Sequence, residues 1–129
     1  MLSKPEKHLY EYAVVRYVPR VEREEFINVG LIMMCKRKRW IKVRVIDDMS
    51  RVRAFSPGTD EEVLTHQLSS FSTVASGGND TIGALEAHER FRWLTAVRSA
   101  SIQTSRPHPG KCESLDDTFD RLYRELIEA

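Results

Sequence analysis

The sequence has few cysteines, no long apolar run and almost no net charge. Cys35 and Cys112 are the only cysteines in 129 residues, and their separation matches no metal-ligand motif. Cys35 ends an apolar segment, so we predict a buried thiol and a reducing, cytoplasmic compartment. The longest apolar runs fall far short of the roughly 18 residues of a membrane span. The opening residues MLSKPEKH have no apolar core, so we expect no signal peptide and no membrane association.

Charge and motifs exclude further classes of protein. Twenty basic and nineteen acidic residues leave a net charge of +1, so the whole chain has no general attraction for a polyanion. No glycine-rich phosphate loop follows a predicted strand, and no nucleophile elbow occurs. The four histidines show no i, i+4 pairing of the kind that binds zinc. We therefore assign no catalytic residue, no metal and no cofactor, and we lean against an enzyme.

The first half of the chain has the pattern of strands. Residues 9–18 are rich in Tyr and Val and end before Pro19, which lacks a backbone donor. Residues 26–35 are almost continuously apolar, as in a strand covered on both faces. Residues 40–47 alternate between apolar and basic side chains, which predicts one buried and one solvent-facing side.

The second half of the chain has mainly helical patterns. Helix 60–75 is predicted from a Thr59–Glu62 capping box and an apolar stripe, and a short helix is predicted over 86–97. Strand character returns at 99–105. A final helix over 115–128 starts at a Ser114 cap.

This order predicts an α+β fold. Residues 1–8 form a tail, and 9–129 form one domain with an antiparallel meander of three strands and a later fourth strand. Helices 60–75 and 115–128 are expected on one face of the sheet. The residues expected to pack there are Leu68, Phe71, Phe119 and Leu122 from the helices, and Ile41, Val43 and Val45 from the third strand.

Two polar segments stand out as candidate binding residues. The segment RVEREEF, between the first two strands, mixes both signs and supplies Arg20, Glu22 and Arg23, while Asn28 interrupts the apolar strand that follows. Arginine forks held by carboxylates can keep donors free for a ligand, and a buried Asn needs partners for its amide. The alternative is a polar network that only specifies the fold.

The second polar segment lies sixty to eighty residues later. It contains arginines beside aromatic residues, a combination that can bind phosphate or stack on a base. The alternative is that Arg98 and Gln103 only satisfy backbone groups at the end of a strand. If strand 99–105 joins the meander, the two segments converge into one polar site. The residues of this second wall are Arg92, Trp93, Arg98, Gln103 and His108.

The chain resembles the bacterial family catalogued as domain of unknown function 3037, through YAVVRYVPRVEREEFINVG, ERFRWLTAVRS, SIQTS and HPG. The resemblance implies a small stand-alone domain with no assigned activity, and a kinase-like protein as partner. It departs from the family pattern at Glu24, where glycine is usual, and at Val97, where proline is usual. The resemblance implies that the residues most characteristic of the family pattern are Arg20, Glu22, Arg23, Asn28, Gly30, Arg92, Trp93, Leu94, Arg98, Gln103, His108 and Gly110.

Three functions follow as hypotheses. The first is an accessory binding domain whose arginine-rich site holds a small anion, a phosphate or the kinase-like partner. The second is an enzyme acting on phosphoesters or nucleotides, with Glu22 or His108 as acid or base. The third is binding of nucleic acid without sequence preference by the basic residues 36–44, whose alternative role is to protect a hairpin from aggregation. We expect no nucleic-acid partner, because the total charge is near neutral.

Overall fold

The computed structural model describes residues 6–77, 85–98 and 100–129. No helix within these ranges is long and apolar enough to cross a membrane. A 3₁₀ turn, Val21–Arg23, separates the first two strands. The strands are β1 His8–Tyr17, β2 Ile27–Cys35, β3 Trp40–Val45, β4 Ile102–Thr104 and β5 His108–Cys112; the helices are α1 Ser50–Phe55, α2 Glu61–Ser76, α3 Ala87–Leu94 and α4 Leu115–Tyr123, which continues as a π-helical segment Arg124–Glu128.

The strands form one antiparallel sheet with β1 at its centre, which confirms the predicted α+β class. Strands β3, β2 and β1 are neighbours in that order, as the meander requires. The other edge of β1 pairs with two short strands, β4 against Val15–Tyr17 and β5 against His8–Tyr12. Residue 99 of the late strand predicted at 99–105 lies outside the described residues, and the strand observed there covers only Ile102–Thr104. A fifth strand follows it. Strand β5 was not predicted, because Pro109 and Gly110 are typical of turns and proline is tolerated only in edge strands.

Ser105 marks the break between β4 and β5. Its hydroxyl oxygen accepts a 2.9 Å hydrogen bond from the backbone N–H of Val14. Its own N–H donates to the carbonyl of Val14 at 2.9 Å. Ser105 thereby satisfies both backbone groups of Val14 while the edge strand is interrupted.

Helices cover both faces of the sheet, which corrects the prediction that they share one face. On the first face α2 and α3 pack against the sheet through Leu64, Leu68 and Phe91, with Ile41, Val43 and Val45 contributing from β3. On the opposite face α4 buries Phe119 and Leu122 against the sheet. Strand β2 alternates between these cores, which explains why it is apolar at almost every position except Asn28.

The face of β3 predicted to be solvent-facing is instead the one that contacts α4. The Lys42 ammonium lies 5.0 Å from the Phe119 ring centroid and pairs with Asp116 at 3.0 Å. The Arg44 guanidinium lies 4.5 Å from the ring centroid of Tyr123. Basic side chains can cover aromatic surface with their stems while the charge reaches water. The basic residues therefore help to dock the last helix.

Two helix starts also differ from the predictions. Helix α1 was not predicted, because its six residues bury only Val52. Asp48 supports its start by accepting hydrogen bonds from the backbone and the hydroxyl of Ser50. Helix α2 is capped by Asp60, which accepts from the N–H of Val63, and Thr59 instead hydrogen-bonds the Tyr17 hydroxyl at 2.9 Å.

A bulge in the pairing of β1 with β2 leaves Val29 without a direct partner. Val15 lies opposite Gly30, whereas Arg16 lies opposite Asn28. Gly30 also faces Val45 of β3, and a Cβ added to it would approach the carbonyl oxygen of Arg44 to 2.8 Å. The bulge therefore requires glycine because of crowding by backbone atoms.

We predict that Gly30→Ala lowers the free energy of unfolding by about 1–3 kcal/mol, because a backbone carbonyl must move to admit the methyl group. Gly58→Ala is the matched control, since its new Cβ would meet no atom within 4 Å. Urea denaturation of both variants measures the difference. Equal stability of the two variants would contradict the crowding argument.

Candidate functional site

A pocket of about 600 Å³ lies where the two predicted polar segments approach each other. We call it the Arg16 pocket, after the arginine of β1 that lines it. Its other lining residues are Val18, Val21, Glu24, Phe26, Val97, Arg98 and Gln103. The turn after β1 forms one wall, and the segment leading into β4 forms the other. Of the residues predicted to converge, Arg98 and Gln103 of the second wall line this pocket, whereas Arg20, Glu22, Arg23 and Asn28 do not.

Arg16 is the residue of this pocket that sequence reasoning missed. It lies on the central strand between Val15 and Tyr17, and its half-buried side chain places the guanidinium carbon 4.1 Å from the centroid of the Phe26 ring. Its Nε is buried without a hydrogen-bond acceptor in the described part of the chain. None of the ion pairs found there includes Arg16 either. Because the Arg16 side chain lines the pocket and its charge is not balanced by a described carboxylate, the guanidinium is suited to receive an anion.

Arg98 and Gln103 are the two predicted residues that line the Arg16 pocket. Arg98 donates to the carbonyl of Trp93 and lies 4.8 Å from the centroid of that indole ring. Gln103 lies opposite Arg16 in the sheet, and its amide donates to the carbonyl of Ala100 at 2.8 Å. Within the described ranges, no carboxylate pairs with Arg98.

Glu24 supplies the carboxylate of the pocket wall and has an unusual backbone conformation. Its φ is 56°, in the left-handed region where glycine is favoured. The turn that forms this wall therefore has a backbone shape that glycine adopts more readily than glutamate.

Apart from Glu24, the charged residues of the RVEREEF segment do not line the Arg16 pocket. Arg20 pairs with Glu22 at 2.9 Å and Arg23 pairs with Glu25 at 2.5 Å, and all four side chains are exposed. Hydrogen bonding to the backbone, followed by the Arg20 contact, lowers the pKa of Glu22. Such a carboxylate stays ionised and is poorly suited to be a general acid.

Asn28 has a partner at the far end of the chain. Its amide nitrogen donates to the carbonyl of Leu126 at 3.2 Å. Arg51 donates to the next two carbonyls, those of Ile127 and Glu128, at 2.8 and 2.6 Å. The last carbonyls of a helix have no partner within it, so these two side chains close the C-terminal turn. The structure places Asn28 at this turn and not among the lining residues of the Arg16 pocket.

The remaining predicted residues are divided among other surfaces. Arg92 binds both carboxylate oxygens of Glu11, and this contact raises the pKa of Arg92. The exposed ring of His108 packs on Tyr12 with 5.2 Å between centroids. Trp93 lines a separate apolar groove that also includes Arg98. Neither His108 nor Glu22, the two predicted acid–base residues, lines the Arg16 pocket.

A group of possible metal ligands occurs at the start of α3. Donor atoms of Glu86, His88 and Glu89 lie within 4.8 Å of one another. Sequence reasoning considered only the histidines and missed this group. Acidic residues are common in the first turn of a helix, where they complement its dipole, and this role accounts for both glutamates.

Comparison with known proteins gives one match. The model of the family described as "Protein of unknown function (DUF3037)" matches residues 12–127, which is most of the chain. No curated protein and no solved structure matches the chain.

We predict that Asn28→Asp lowers the free energy of unfolding by about 1–2 kcal/mol. The substitution keeps the side-chain shape but removes the donor to Leu126, which leaves a carbonyl unpaired beside a carboxylate. Urea denaturation measures the loss. A variant as stable as the wild type would show that the hydrogen bond does not hold the C-terminal turn.

Proposed function

The chain belongs to the DUF3037 family of proteins of unknown function, and we propose that it is a non-catalytic binding module whose Arg16 pocket holds the anionic group of a ligand. The observation that carries the proposal is that Arg16 lines the pocket and pairs with no carboxylate in the described part of the chain. Arg98 and Gln103 add donors on the opposite wall. Guanidinium groups are the usual partners of phosphate and carboxylate in such pockets.

The composition of the pocket favours binding over catalysis. General acid–base chemistry needs groups of matched pKa within hydrogen-bond reach of the substrate. The carboxylate in the lining belongs to Glu24, whose side chain is exposed and whose neighbours include two arginines. Among the residues that the structure describes, no histidine, cysteine or serine lines this pocket. Phosphoester chemistry is therefore the weaker of the two proposals.

We further propose that the partner is the kinase-like protein that the family resemblance implies. A protein partner would bring its anionic group as a carboxylate or a phosphate on an exposed side chain. Phe26 and Val97 line the pocket and are exposed, which supports a macromolecular partner, because exposed aromatic side chains beside arginine are typical of protein interfaces.

Inorganic phosphate is the simplest probe of the pocket. At about 100 times its dissociation constant, a ligand that binds only the folded state raises the free energy of unfolding by about 2.7 kcal/mol. We predict that phosphate raises the melting temperature of the wild type at constant ionic strength, with chloride as the balancing anion. Arg16→Met should abolish this increase, because the apolar stem remains and the guanidinium is lost.

Arg20→Met is the matched control for this experiment. It removes an exposed arginine that pairs with Glu22 and does not line the Arg16 pocket. Its response to phosphate should equal that of the wild type. An unchanged response in Arg16→Met, or an equal loss in both variants, would contradict the assignment.

Co-expression with the kinase-like protein tests the partner. We predict that the wild type and Arg20→Met co-elute with it in size-exclusion chromatography at micromolar concentration, and that Arg16→Met elutes separately. Separate elution of the wild type would contradict the proposed partner while leaving the phosphate experiment unaffected.

A further inference from the structure

Along the outer edge of β4, the backbone groups have no partner among the described residues. The carbonyl of Ser101 accepts from the N–H of Val18 at 2.7 Å, and the N–H of Ser105 donates to Val14. Backbone groups of successive residues in an antiparallel strand point to alternate edges. The N–H and C=O groups of Ile102 and Thr104 therefore point away from β1. Among the described strands, β4 pairs only with β1.

Two cavities flank this edge, one on each face of the sheet. The Arg16 pocket lies on the face of Arg16 and its pairing partner Gln103. On the other face a groove of about 340 Å³ lies between β4 and the helices α2 and α3; we call it the Trp93 groove. Its apolar lining residues are Phe71, Val74, Trp93, Leu94, Ala100 and Ile102.

Arg98 joins the two cavities, because it lines both of them. No described carboxylate lines the Trp93 groove, so its charged lining residue is Arg98. The apolar side chains around it are unusually exposed, at 43% for Trp93, 43% for Phe26 and 99% for Val97. Trp and Arg are the residues that most often dominate the energy of a protein interface.

We propose that the outer edge of β4 binds an extended peptide segment of a partner protein as an added strand. The segment would place an acidic side chain in the Arg16 pocket and the bulky apolar side chain next to it in the Trp93 groove. Adjacent residues of a strand point to opposite faces, so an acidic residue directly beside an apolar one meets both cavities. This proposal rests on the proposed anion-binding function of the Arg16 pocket and specifies its ligand.

The position of the cavities favours a peptide over a nucleotide. The outer edge of β4 lies between the Arg16 pocket on one face of the sheet and the Trp93 groove on the other. A ligand that fills both cavities must therefore pass around that edge. A main chain beside β4 does so while it forms hydrogen bonds with Ile102 and Thr104. A nucleotide has no such backbone and could occupy the Arg16 pocket alone.

The experiment uses the full chain and capped heptapeptides in which two adjacent central positions are varied and Thr and Val flank them. Binding is measured by the fluorescence of Trp93 in a Trp40→Phe background. We expect peptides with Glu–Phe, Asp–Phe or Glu–Leu centres to bind best. Replacing the acid by its amide should weaken binding at least tenfold, and so should replacing the apolar residue by serine.

Two further peptides test the geometry. Glu–Gly–Phe places both side chains on the same face of a strand and should bind at least tenfold more weakly than Glu–Phe. A peptide N-methylated at the residues facing β4 should lose binding in the same way. Hydrogen exchange gives the matching readout on the protein, because the amides of Ile102 and Thr104 should become protected when Glu–Phe binds.

The outcomes separate this inference from the proposed function. Phosphate binding that depends on Arg16, together with no peptide of the panel binding below 1 mM, would overturn the inference and leave the proposed function standing. Equal binding of Glu–Phe and Glu–Gly–Phe, or unprotected amides at Ile102 and Thr104, would also overturn it. Loss of both the phosphate and the peptide response would overturn both.

Discussion

Strand β1 pairs along both of its edges, and the rest of the structure depends on this double pairing. Strand β2 occupies one edge, while β4 and β5 share the other. Because neighbours fix both edges, its side chains must alternate between the two cores. Val14 therefore faces α4, and Val15 faces α2 and α3. Arg16 comes next in the strand, after the bulge, and its side chain is on the α4 face. It forms no ion pair with a carboxylate of the described residues. The position of Arg16 in its pocket is thus a consequence of how β1 is paired with its neighbouring strands.

Periodicity was sufficient to predict much of the fold. The alternating and continuous apolar runs predicted β1, β2 and β3, and the helical stripes predicted α2 and α4. Periodicity does not show which face of a sheet a helix covers. Lys42 and Arg44 gave β3 the pattern of a solvent-facing side, although their stems lie against Phe119 and Tyr123. The placement of α4 was wrong for this reason, since long basic side chains satisfy both environments.

The candidate site was predictable in part. The two polar segments were predicted to converge, and Arg98 and Gln103 do meet the turn after β1. Asn28 was predicted to need a partner, but sequence spacing cannot indicate a carbonyl 98 residues away. Arg16 gave the same signal as Asn28, a polar residue in an apolar strand, and was overlooked because a strand commonly has one polar face. Whether a donor is buried without an acceptor can be decided only from coordinates.

The interruption at Ser105 also limits how the sheet can grow. A long, flat, unpaired edge is a template for the addition of further chains, and proteins suppress such growth with proline, lysine and short strands. Here the edge offers three residues of β4, and β5 follows with Pro109 and Lys111. It therefore has room for one short segment but no continuous ladder along which copies could stack. A protein can in this way keep a sheet edge that pairs with one added strand while its shortness prevents the continuous stacking of strands that forms fibrils.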